Sequence, residues 1–132
     1  KAGKLDAVVT CTGHAYFGPL AGMTEDQFMV GIKDKLMGQV NVVLIGQSLI
    51  NDGGSFTLTG GVLDRDPIRK GANASTVNGA LNAFARSAAI ELERGIRINV
   101  VSPTVLEASA KKYKASFQGT CPYPPSGSAT PM

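Results

Sequence analysis

The chain has 132 residues, of which 43% are hydrophobic and 17% charged, and its net charge is +3. That length and balance fit one folded domain and exclude a disordered or collagen-like chain. No apolar run approaches the roughly 18 residues of a membrane-spanning helix. The 13 basic residues are scattered rather than gathered into a stripe, so neither a membrane nor a nucleic acid is expected as a partner.

The opening residues, Lys1 to Asp6, lack the charged-then-apolar layout of an export signal, and the expected location is the cytoplasm. Cys11 and Cys121 make no disulfide framework. Cys11 lies in an apolar segment and is expected to be a buried core thiol. One histidine and two cysteines are too few for a multi-ligand zinc centre, and no metal is expected.

Leu5 to Cys11 is a short, β-branched, nearly continuous apolar run that stops at Thr12-Gly13, the pattern of a strand buried on both faces. Thr24-Glu25-Asp26-Gln27 then matches a capping box. The helix behind it is predicted to run to about Ile50, with Phe28, Ile32, Leu36, Val40, Val43 and Leu44 at helical spacing, and to be closed by Asn51-Asp52-Gly53-Gly54. Ser55 to Thr59 is the second predicted strand, ended by Gly60-Gly61. A second long helix is predicted from about Asn73 to Arg94, with Gly95 as its C-cap. Its apolar positions are Val77, Leu81, Phe84, Ala88 and Leu92, and small residues run along it. Ile96 to Val101 is the third predicted strand, terminated by Ser102-Pro103. Residues 110–132 are basic, then rich in Pro, Ser and Gly, and are expected to be an irregular tail.

Strand, long helix, strand, long helix, strand implies an α/β domain with a parallel sheet in βαβαβ order. If the strand order moves steadily in one direction, right-handed crossovers place both helices on one face. The strands read as apolar at successive positions, so the other face is expected to need cover from the tail, another chain, or residues outside this one.

Two stretches carry a family resemblance. Asn82 to Leu92 is similar to the central helix of the short-chain dehydrogenase/reductase family, and Gly95-Ile96-Arg97-Ile98-Asn99-Val100-Val101-Ser102-Pro103 to the strand after it. Asp6 to Gly13 resembles the strand ending in Asn-Asn-Ala-Gly, of which only Gly13 is kept. The resemblance implies a three-layer Rossmann-like sheet, here incomplete, with residues 1–109 forming a partial NAD(P)-binding domain that holds the fourth to sixth strands. It implies NADP or NAD as cofactor, with Gly13, Pro103, Thr104 and Val105 along the nicotinamide side and Thr59 toward a carbonyl substrate. It also implies a homo-oligomer packed through the two long helices. Packing of the second helix on its own sheet alone fits its small-residue stripe equally well.

The departures are as specific as the matches. By the family's spacing, the tyrosine position holds Ala74, the lysine position Asn78, the serine position Gly61 and the relay asparagine position Lys35. None of these catalytic residues is retained, and a one-residue shift puts only Ser75 at the tyrosine position. The chain also has no Gly-x-x-x-Gly-x-Gly turn, the element that brings backbone and helix N-terminus to a pyrophosphate, so cofactor binding by this chain alone is doubtful. Lys35 either replaces the missing ammonium or is a solvated surface lysine. His14, after the first strand, is either a general base or an ordinary loop histidine. The functional expectation is a truncated or incomplete oxidoreductase of this family. The alternative is a non-catalytic oligomerising scaffold built from the same fold.

Overall fold

The structure is a computed structural model and describes residues 4–104. The 110–132 tail, Cys121 and Val105 lie outside the described residues. The strands β1 (Leu5–Val9), β2 (Ile50–Thr59) and β3 (Arg97–Val101) form one parallel sheet in the order β1-β2-β3. The first crossover contains α1 (Glu25–Gly31), a π-helical turn (Ile32–Leu36) and α2 (Met37–Gly46), and the second contains α3 (Ala72–Glu91). This is the α/β Rossmann-like arrangement expected from the alternation of elements.

The capping box forms as its residues predict. Gln27 N–H donates to Thr24 Oγ1 at 3.3 Å, and Thr24 N–H donates to Gln27 Oε1 at 3.0 Å. The helix then loosens by one residue per bond at Ile32–Leu36, where Met37 N–H reaches back to Ile32 O. Such π turns interrupt the regular hydrogen-bond ladder of an α-helix and are frequent at functional sites. This one carries Asp34 and Lys35.

Both crossovers pack on the same face, since α1 and the π turn touch α3 and α3 touches β3. The core lies there: Val43, Ile50, Phe56, Leu58, Leu81, Ala85, Ile96 and Ile98 are all buried. Phe56 and Leu58 of the central strand are fully buried, each worth roughly 1.5–3 kcal/mol relative to exposure. Alternation then sends Ser55, Thr57 and Thr59 to the opposite face, where they are half-buried. That face is exposed at Val9 (64%) and Val101 (54%) among the described residues. The expectation of strands apolar on both faces therefore holds only for the end of β1, since the outward row of β3 is Arg97, Asn99 and Val101. The central strand alternates, and its outward row is hydroxyl-bearing.

Four boundaries differ from expectation. The strand β1 stops at Val9, and Cys11 beyond it is exposed rather than buried. The first helix ends at Gly46, not near Ile50: a side chain at Gly46 would lie 2.9 Å from the Phe56 ring, and the chain turns there with Leu49 N–H on Gly46 O. The turn-forming residues Asn51 to Gly54 do not close the helix. They lie inside β2 as an irregularity, where the register passes from Leu5 opposite Ile50 to Ala7 opposite Ser55. The second helix ends at Glu91, and Gly95 (φ +69) turns the chain into β3 instead of capping the helix. Arg94 secures this corner by donating to Ile50 O at 3.1 Å, to Asp52 Oδ1 at 2.8 Å and to Gln47 O.

Candidate functional site

Because all strands run parallel, their carboxyl ends share one edge, the place where ligands bind in such sheets. Three loops meet there. Thr10 to His14 leaves β1, Gly60-Gly61 leaves β2, and Ser102 to Thr104 leaves β3. Gly60 N–H donates to Val101 O at 2.8 Å and Val62 N–H to Pro103 O at 3.2 Å, which sets the β3 exit against the β2 exit. A groove of about 490 Å³ lies at the opposite end of the sheet, bordered by the ends of α2 and α3, and takes no part in this edge.

One residue absent from the expectations organises the edge. Gln39 of α2 is fully buried. Its Oε1 accepts from Thr10 Oγ1 at 2.6 Å and from Thr59 N–H at 2.8 Å, and its Nε2 donates to Thr59 O at 2.9 Å and to Thr12 O at 3.4 Å. Every bond a carboxamide can offer is used, and the ends of β1 and β2 are joined through it. The signal was present: Ile32, Leu36, Gln39 and Val43 fall on one stripe, with a polar residue at a core position. Asn73, also fully buried, plays the same part for the long loop, accepting from Tyr16 N–H at 2.8 Å and donating to Phe28 O at 2.6 Å.

Lys35 reaches the edge from the π turn. Its Nζ donates to Gly60 O and to Asn78 Oδ1, both at 2.8 Å. The ammonium therefore lies between Gly60 at the exit of β2 and Asn78 of α3. Gly13, with φ +104, packs directly under it: a Cβ there would lie 2.5 Å from Lys35 Cα. The Lys35 side chain is half-buried and directed onto these two acceptors.

Burial holds the Lys35 ammonium below the ordinary lysine value of 10.5. The unfolded chain thus keeps this proton at pH values where the folded chain has begun to lose it. The contribution of Lys35 to stability is then least favourable below the lowered folded value, and rises with pH up to the ordinary one. Urea melts from neutral to alkaline pH are expected to show a steeper rise for the wild type than for Lys35→Met. Equal slopes would count against the burial of this charge.

His14 is not brought to Lys35 Nζ. Its backbone N–H and Nδ1 both meet Asp34 Oδ2, at 2.8 and 3.0 Å. These bonds, the backbone one foremost, hold the Asp34 carboxyl below its usual range. The pair is exposed. Asp34 was not among the expected residues; the aspartate sits next to Lys35 in sequence, but only the fold sets it against His14. Thr59 donates its hydroxyl proton to Thr10 O at 2.6 Å, so toward a ligand it retains only acceptor capacity. Ala74 is buried, and Ser75 Oγ is buried with no hydrogen-bond partner among the described residues.

The comparisons with known proteins agree with this geometry. The family described as "Enoyl-(Acyl carrier protein) reductase" matches residues 1–121. No curated protein matches the chain. Among solved structures, the protein lin1944 from Listeria innocua is similar at 54% identity and a TM-score of 0.86, over 92% of this chain and 61% of that one. A small-chain dehydrogenase in complex with NADPH is similar at 29% identity and a TM-score of 0.75, over 88% of this chain and 56% of that one. A short-chain dehydrogenase/reductase from Brucella melitensis, at 20% identity and a TM-score of 0.77, shares the fold over 85% of this chain and 46% of its own. The chain thus spans between about half and three-fifths of the length of these structures. With the family matched over nearly its whole length, and the sheet and helices arranged as in these relatives, the chain belongs to the short-chain dehydrogenase/reductase family of oxidoreductases.

Proposed function

We propose that this chain provides the nicotinamide-side half of an NAD(P)-dependent oxidoreductase site acting on a carbonyl compound or its alcohol, and that the dinucleotide's pyrophosphate is held by residues outside this chain. The observation that carries this reading is the carboxyl edge of the sheet, where the Lys35 ammonium is directed onto Gly60 O and Asn78 Oδ1 and the β3 exit at Pro103 is bonded to the β2 exit at Val62.

These residues fit the nicotinamide end of the cofactor and not the pyrophosphate, for which no glycine-rich helix start is present in the sequence. When bound, the cofactor supplies hydride transfer. The chain's own part is to orient the reacting oxygen and to present positive charge beside it. An NADPH complex among the similar structures supports the choice of cofactor.

The test is a calorimetric titration of NADPH and NADH into the protein as isolated from its source, whose intact mass is measured on the same sample. Binding near about 1–10 μM by a polypeptide heavier than 13.7 kDa is the expected result. Failure of the native protein to bind either nucleotide at millimolar concentration would overturn the proposal.

A further inference from the structure

The geometry points to a second role for the Lys35–Asn78 pair: with the side-chain-free Gly61 it forms a hydrogen-bond-donor site for one negatively charged oxygen, the enolate or alkoxide oxygen of a carbonyl substrate. The inference deepens the oxidoreductase reading and depends on it only for the identity of the molecule that owns the oxygen.

Three observations build the site. First, an ammonium has three N–H donors and no acceptor. Lys35 engages two of them, on Gly60 O and Asn78 Oδ1, and the third has no partner among the described residues. Second, this contact settles how the Asn78 amide is turned. Only Oδ1 can face an ammonium, so Nδ2 faces the other way. It packs on Gly61, where a Cβ would lie 2.7 Å from Nδ2. Third, Asn78 is only 2% exposed, yet its Nδ2 donates to no group among the described residues. This nitrogen is not one of the sealed, partnerless atoms of the described residues, which are Asp64 Oδ1 and Ser75 Oγ, so its N–H stays open to an incoming acceptor. Lys35 Nζ and Asn78 Nδ2 thus each keep an unengaged N–H at the two ends of one carboxamide, beside Gly61, where a Cβ would lie 2.7 Å from Nδ2.

The arrangement selects its ligand. Both groups donate, one is cationic, and both are held by bonds that would not have to reorganise when charge appears. Fixed donors of this kind, removed from bulk water, favour the charged oxygen over the neutral carbonyl. Ala74 and Gly61 contribute no hydroxyl at the family's tyrosine and serine positions. The donors therefore come from the π turn between α1 and α2 and from the second turn of α3, through Lys35 and Asn78.

The test needs no turnover. A nitrophenolate, fully ionised at the pH used, serves as the oxygen anion, and its absorbance band reports hydrogen bonding to that oxygen. The wild-type chain is expected to bind it with a shift of the band to shorter wavelength. Lys35→Met should weaken binding about tenfold or more, the scale of a charge-assisted hydrogen bond. Lys33→Met, which removes an exposed lysine from the same turn, should leave binding unchanged. In nitrogen-edited NMR of the wild type, the Asn78 side-chain N–H pair should move on titration. That measurement stands even if Lys35→Met does not fold. Absence of binding by the wild type, an unmoved Asn78 signal at saturation, or equal affinity in a folded Lys35→Met variant would each overturn the assignment. Binding of nitrophenolate without binding of NADPH would leave the donor site standing and remove the oxidoreductase reading.

Discussion

Gln39→Leu is expected to destabilise the domain by about 3–5 kcal/mol, measured by urea unfolding against the wild type. The substitution nearly conserves volume, so little packing is lost. What is lost is every bond of a fully buried carboxamide: Thr59 N–H and Thr59 O on β2, the Thr10 hydroxyl and Thr12 O beyond β1. Leaving a buried donor or acceptor without a partner costs about 1–3 kcal/mol each. The Thr10 hydroxyl has an alternative in Thr57 O at 3.4 Å, and the Thr12 contact is long, so the cost falls mainly on Thr59. Against the about 5–15 kcal/mol that holds a typical domain together, a loss of this size would leave a large unfolded fraction at modest urea. A change under about 1 kcal/mol would show that the strand ends find other partners and that Gln39 does not join them.

Gly13→Ala should cost about 3 kcal/mol and also displace Lys35. Two effects add. The backbone has φ +104, which residues with a Cβ rarely adopt. The new Cβ would lie 2.5 Å from Lys35 Cα and 2.9 Å from Lys35 Cβ, a contact with backbone that only movement of the π turn relieves. That movement draws the ammonium away from Gly60 O and Asn78 Oδ1. Gly22→Ala separates the two effects: Gly22 also has positive φ, +79, but a Cβ there meets nothing within 4 Å. Its expected cost is the backbone strain alone, about 1–2 kcal/mol. Equal losses at the two positions in urea melts, with the Asn78 side-chain amide signals unmoved in Gly13→Ala, would refute the steric link between Gly13 and Lys35.

The sequence expectations succeeded where the cause is local. Periodicity in Phe28 to Val43 and in Val77 to Leu92 is a property of the helix itself, and the Thr24–Gln27 box is satisfied by residues three apart. They failed where a distant residue takes over. Asn51 to Gly54 carry turn chemistry, but Arg94 and β1 hold them inside β2 as an irregularity, with Gly53 at φ +73. Cys11 belongs to an apolar run, yet β1 stops short of it because Thr10 turns its hydroxyl inward to Gln39. The His14–Asp34 pair joins residues twenty apart in sequence, and no spacing rule announces it.

By itself the sequence determined the fold class and the family, because these depend on pattern and residue identity. It also singled out Lys35 and Asn78 as positions to compare with the family's pattern. Only the tertiary structure decided that the two meet. A lysine stem can lie along a surface or cross into a site, and the choice depends on the π turn that aims it, on Gly13 beneath it, and on two acceptors, Gly60 O and Asn78 Oδ1, drawn from other elements. A charged side chain enters a half-buried position when acceptors compensate its lost hydration, and those acceptors exist only once the sheet and both helices have packed.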